Sequence, residues 1–221
     1  MKTKNNQRVR ITSPAGSAKF PKLTVPDTKF NPEGDYSVSL VFEQGEADDF
    51  LAQLDKFADE AFEKAKGDLE TNGKKAQAKK VVRAEPYKME LDQEGEETGN
   101  IEVKFKMKAK VKMRDGRVLE FSPKLFDAKG QPIKPEDIEI WGGSTLKVNF
   151  TPSQYYMASS KNAGISLQLN AVQVLELVSR GGGNAESFGF EAQDDGYVVN
   201  EDSFEAQESL TDAEAPPEAD F

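Results

Sequence analysis

From Ile101 to Arg114 the sequence alternates without a break. Ile101, Val103, Phe105, Met107, Ala109, Val111 and Met113 are apolar, while Glu102, Lys104, Lys106, Lys108, Lys110, Lys112 and Arg114 are charged. A period of two belongs to a β-strand, whose side chains point to opposite faces in turn. The chain must therefore build a sheet with one face in a core and a row of cations on the other. Same-face residues repeat about every 6.6 Å, close to the phosphate spacing of an extended single strand. Neighbouring like charges repel, so the fold gains nothing by gathering them. A solvated face that blunts a sheet edge is the plain alternative, but scattered glutamates would give solubility without the repulsion.

Charge is divided sharply along the chain. Residues 181–221 hold 12 acids and no Lys or Arg, whereas residues 1–180 hold 29 basic and 27 acidic residues, a net of +2. The acidic character of the whole belongs to a tail. Poor in apolar residues, that tail cannot offset its ordering entropy and is expected to be disordered. Its end, Asp220-Phe221, joins an apolar ring to carboxylates, which a purely solvating tail does not need. We expect two domains, 1–180 and 181–221, the second a tethered acid that competes with a polyanion for the basic face.

The chain has no Cys and no His. Ser-His-Asp and Cys-His nucleophiles, Cys/His zinc sites, iron–sulfur clusters and disulfides are thereby excluded, and a reducing compartment suits it. No catalytic residue, metal site or cofactor is expected. Gly67 to Lys75 only superficially resembles a phosphate-binding loop, because Lys75 stands where Ser or Thr is required. The basic residues 1–10 are followed by no apolar segment, and residues 171–178 are far shorter than a membrane span and carry Glu176. No membrane association is expected.

Other segments complete the frame. Residues 8–25 read as short strands broken at Ser13-Pro14-Ala15-Gly16, followed by a loop rich in Pro, Gly and Asp to Asp35. Residues 36–42 alternate as a strand. Glu46 to Lys66 carries Phe50, Leu51, Leu54, Phe57, Ala58, Ala61, Phe62 and Ala65 at helical spacing, with Gly67 as its expected end. Residues 68–97 look polar and irregular, and Lys74, Lys75, Lys79 and Lys80 read as a solvated loop. Asp115-Gly116 signals a hairpin turn. Strands are expected at 118–121, 144–150 and 165–178. Thr151 to Gly164 is expected to be a long loop presenting Tyr155, Tyr156 and Lys161 beside the basic strand, where rings can stack on unpaired bases. Either tyrosine could instead fold back as a cap. Trp141, before Gly142-Gly143, is expected in the core. The fold class is mainly β: a small OB-fold-like barrel with one inserted helix and an acidic tail.

Residues 140–148 (Ile-Trp-Gly-Gly-Ser-Thr-Leu-Lys-Val) and 165–169 (Ile-Ser-Leu-Gln-Leu) resemble the single-stranded DNA-binding proteins of T-odd lytic podophages. Val174 to Leu177, Gly181 to Gly183, Gly196-Tyr197-Val198, Phe105-Lys106 and the final Asp220-Phe221 continue the likeness in order. The resemblance implies an OB-fold that coats single-stranded DNA without strong sequence preference in phage replication, recombination and repair, in the host cytoplasm. It places the stacking tyrosine at Tyr155. Tyr156 stands where a relative has Lys, and Met157 where it has Trp. It also implies that Asp220 and Phe221 contact the replisome, meaning DNA polymerase and helicase/primase, and it leaves a homodimer open. The DNA-binding candidates are Lys104, Lys106, Lys108, Lys110, Lys112, Arg114, Tyr155, Tyr156 and Lys161. Two other classes compete: a metal-dependent nuclease or recombination enzyme, and an acidic DNA mimic.

Overall fold

The computed structural model describes residues 9–92 and 94–178; the expected tail, with Asp220 and Phe221, lies outside them. In chain order the strands are β1 (Ile11–Thr12), β2 (Gly16–Asp27), β3 (Asp35–Phe42), β4 (Val82–Arg83), β5 (Lys88–Leu91), β6 (Glu97–Lys108), β7 (Lys110–Lys112), β8 (Val118–Glu120), β9 (Lys124–Phe126), β10 (Pro132–Ile133), β11 (Thr145–Met157) and β12 (Asn162–Glu176). Helices α1 (Asp48–Thr71) and α2 (Lys75–Ala78) stand between β3 and β4. The fold is mainly β with one long inserted helix, as the periodicities predict.

Strand β3 pairs antiparallel with β2 on one side and β6 on the other. Strand β11 pairs with β2 and, along nearly its whole length, with β12. β12 meets β6 through one parallel pair, Gln168 with Lys106. Inward positions on all five strands are apolar. Val38, Leu40, Phe42, Val103, Phe105, Leu146, Val148, Phe150, Leu169 and Val172 are buried, and Phe50, Leu54, Ala58 and Ala61 of α1 pack against them. The alanines let the helix approach closely. Four rings join the layers: Phe42 lies 5.8 Å from Phe50, Phe50 lies 6.0 Å from Phe150, and Phe150 lies 5.1 Å from Phe105.

Several boundaries differ from expectation. The helix does not end at Gly67 but runs one turn further, because Leu69 extends the apolar stripe and joins Ala65, Ala78, Val81 and Ala163 in a second cluster. Gly67 faces open space, and the turn comes at Gly73, which has a φ of +75°. The supposedly irregular stretch after it holds α2, β4 and β5. Arg83 of β4 clasps α1, with bonds of 2.6 Å to both Asp55 and Asp59 and of 2.5 Å to Glu85. Partial burial pulls the Arg83 pKa down, but its three carboxylate partners outweigh this and raise it.

The alternating run does not form one strand. β6 stops at Lys108 because its partner β3 runs out at Asp35. Ala109 is buried, and its N–H goes to the Gly34 carbonyl. Beyond it, β7 and β8 make a separate hairpin. The expected loop from Thr151 to Gly164 is also not a loop. The β11–β12 ladder continues through Tyr155–Gly164, Tyr156–Ala163 and Met157–Asn162. Only residues 158–161 turn, closed by Lys161 at a φ of +61°.

Candidate nucleic-acid interface

The outer face of β2, β3 and β6 is built from two cross-strand rows. Lys19 pairs with Ser39, which pairs with Lys104; Lys22 pairs with Ser37, which pairs with Lys106. Registered partners in a ladder share a face. Two small serines therefore form a floor between two walls of lysine. Neighbouring strands lie about 4.8 Å apart, so the walls stand about 10 Å from each other at the backbone. A groove of about 1760 Å³ runs over this floor.

The cations of this outer face, of which Lys104 lines the groove and Lys106 and Lys108 continue along β6 beyond it, are not equivalent. Lys19 is held by Glu90 at 2.8 Å, and that bond, reinforced by Asn100 and Thr98, keeps the Glu90 carboxyl below its ordinary pKa despite partial burial. Lys88 meets the buried Glu102 at 3.3 Å, and Lys106 meets Asp35 at 3.0 Å. Lys22, Lys104 and Lys108 make no ion pair among the described residues, and all three are exposed. Glu43, Glu46 and Glu139 line the groove near Gly143 and Thr145, while Lys22, Lys29 and Lys104 line it elsewhere beside Asp27; Glu90 and Glu102, also in the lining, are each paired with a lysine.

Of the cations expected on one strand, the structure brings Lys104, Lys106 and Lys108 together on β6. Lys110 and Lys112 lie on the β7–β8 hairpin and Arg114 in its turn. Lys110 is paired with Glu120 at 2.9 Å, an exposed bond that raises the lysine pKa and lowers that of the glutamate. Tyr155 faces Gly164 across the ladder. Side chains alternate along β12, so Gly164, Ser166 and Gln168 share one face with Tyr155 and, through Gln168, with Lys106. Tyr156 points to the other face and packs with Phe62 against the second cluster. Lys161 is exposed in the hairpin turn.

Three groove features escape the sequence reading. Lys19 and Lys22 sit in a segment with no regular alternation, because an irregularity in β2 separates them. Ser37 and Ser39 look like ordinary outward strand residues. Trp141 is not in the core: it is 38% exposed and lines the groove, with its Nε1 donating to Glu139 at 3.2 Å.

Residues 15–177 match the family model described as single-stranded DNA-binding protein, bacteriophage T7. The chain is 30% identical to a single-stranded DNA-binding protein of enterobacteria phage T3 over 176 residues, covering 77% of this chain and 74% of that one. The match to its counterpart from Escherichia phage T7 is also 30%, over 177 residues, covering 77% and 73%. Among solved structures, the crystal structure of gp2.5, a single-stranded DNA-binding protein encoded by bacteriophage T7, superposes with a TM-score of 0.61 at 26% identity, covering 87% of this chain and 99% of that one.

Proposed function

The chain belongs to the bacteriophage T7 family of single-stranded DNA-binding proteins, and from that premise we propose that the serine-floored groove between its lysine walls is where it holds the strand. The protein binds single-stranded DNA in phage replication and recombination and is not an enzyme. The nuclease and DNA-mimic readings have no support beside that assignment. Phosphates track the free lysines Lys104, Lys108 and Lys22, with Lys106 exchanging Asp35 for a phosphate. Tyr155, on the continuous face of β11, offers a ring to a base. Tyr156 serves the fold instead. The observation that carries this reading is the pair of Lys–Ser–Lys rows, which set lysines on both sides of a floor of small serines.

The pairings β11–β2–β3–β6–β12, with β12 returning to β11, support a small barrel of the OB type. In such barrels the second and third strands carry the oligonucleotide face; here those are β3 and β6. A titration of the full chain with oligo-dT tests the assignment. Log affinity should fall with log salt at about −0.7 per phosphate neutralised, and matched duplex should bind more weakly. A slope near zero, or equal affinity for duplex, would remove the groove from consideration.

Residues 181–221, the second domain in this reading, supply 12 negative charges on a tether. They compete with DNA for the lysines of this face and, once displaced, recruit replication enzymes such as polymerase or helicase/primase through Asp220 and Phe221, in the host cytoplasm. Among the described residues no helix is long and apolar enough to cross a membrane. Deleting residues 181–221 is expected to tighten oligo-dT binding more at 0.01 M than at 0.1 M salt, as the Debye length falls from about 30 Å to about 10 Å. Equal affinity of the full and shortened chains at both salts would disprove the competition.

A further inference from the structure

Strand β2 contains one residue too many. Ala18 and Leu23 both point into the core, and Lys19 and Lys22 both point out. Residues 19 and 22 would lie on opposite faces of a regular strand. An extra residue between them resets the alternation, and the backbone accommodates it at Phe20, whose φ is +51°. The reset is structural, since it keeps both Ala18 and Leu23 buried. The choice of side chain is not. A left-handed position in a bulge suits glycine, and a bulky residue there carries strain.

The ring returns little to the fold. Phe20 is 75% exposed and belongs to no core cluster. Lys19 Nζ stands 5.9 Å from its centroid, at the outer limit of a useful cation–π contact. The same ammonium is committed to Glu90 at 2.8 Å and to the Leu91 carbonyl at 2.9 Å. So the sequence places a large apolar ring in water, on a strained backbone, between the two lysines of one groove wall.

We propose that Phe20 is a stacking platform for an unpaired base of single-stranded DNA in this groove. The occupant follows from the surroundings. A ring beside Lys22, across a serine floor from Lys104 and Lys106, meets the two needs of a single strand at once: a π face for the base and cations for its phosphates. Tyr155 lies on β11 and Phe20 on β2, so the strand is gripped by rings from separate strands of the fold. The inference rests on the groove being the DNA interface.

The test pairs two substitutions in the full chain, Phe20→Gly and Phe20→Trp. Gly relieves the backbone and removes the ring; Trp keeps a ring. For Phe20→Gly, oligo-dT binding should weaken roughly 5- to 150-fold, with the slope of log affinity against log salt unchanged, because no charge is lost. Its urea midpoint should be equal to or higher than that of the parent. Phe20→Trp should retain parental affinity. A Phe20→Gly protein that binds oligo-dT like the parent overturns the proposal. So does one that binds normally but loses self-association in sedimentation, which would make the ring a protein contact. A lower urea midpoint together with weaker binding would assign the ring to the fold and equally overturn it. If the parent itself fails to bind oligo-dT, the groove assignment has failed, and that result is distinct from a failure of Phe20 alone.

Discussion

Replacing Lys104, Lys106 and Lys108 together by glutamate is expected to weaken oligo-dT binding by roughly 10⁴-fold at low salt. A unit charge pair at 4 Å contributes about 1 kcal/mol in a water-like dielectric, and reversing one sign costs about twice that at each site. The salt slope should shrink by about 2, three phosphates at about 0.7 each. The fold should survive. All three side chains point away from the core, and the one ion pair lost, Lys106 with Asp35, joins a lysine whose side chain is 58% exposed, where such pairs contribute about 0–1 kcal/mol. The contrast is Lys110→Glu and Lys112→Glu on the β7–β8 hairpin. These remove cations from the same sequence pattern but not from the groove, so affinity should change far less. Electrophoretic or anisotropy titrations of both variants decide the matter. Equal losses would mean that the whole alternating run, not the three-strand floor, is the interface.

The contrast marks where sequence reasoning succeeded and where it could not. Alternation reported burial correctly from Val103 to Lys108, where Val103 and Phe105 are fully buried and Lys104, Lys106 and Lys108 are exposed, but not at Glu102, which stands on the charged face and is buried all the same. Alternation persists to Arg114, however, although the sheet changes at Ala109, because a hairpin arm has the same period as the strand it continues. The place where β6 ends is set by the length of β3 and by Gly34, a tertiary fact with no local signature. The Tyr155 arm was hidden for the opposite reason. Serine, asparagine and glycine are loop residues by composition, and only pairing with β12 makes Thr151 to Met157 a strand. Helix α1 was legible from its stripe, but Gly67 misled, since a glycine facing solvent can be carried by the packing of Leu69 beyond it. Phe20 was invisible. A bulge is recognised from two registers that fail to agree, and no single strand displays that.

Truncating Phe150 to alanine is expected to cost roughly 3–5 kcal/mol, a large part of the 5–15 kcal/mol by which such domains are stable. Phe150 is fully buried and is the ring through which β11 reaches both α1, at Phe50, and β6, at Phe105. Removing it opens a cavity at the junction of three elements, and none of them can move in without breaking its own ladder. For a body of this size the melting temperature should fall by roughly 6–20 °C, read by circular dichroism. Well below that temperature, oligo-dT affinity should stay within a few-fold of the parent, because Phe150 does not line the groove. The lysine variant should do the reverse, melting nearly as the parent does and losing DNA. That double dissociation follows from a single strand: on β6, Phe105 enters the aromatic cluster while its neighbours Lys104 and Lys106 form the lysine wall. If Phe150→Ala instead weakened binding as much as the lysine reversals while the protein remained folded, the two faces of β6 would be coupled. The groove would then be shaped by core packing rather than by the register of its strands.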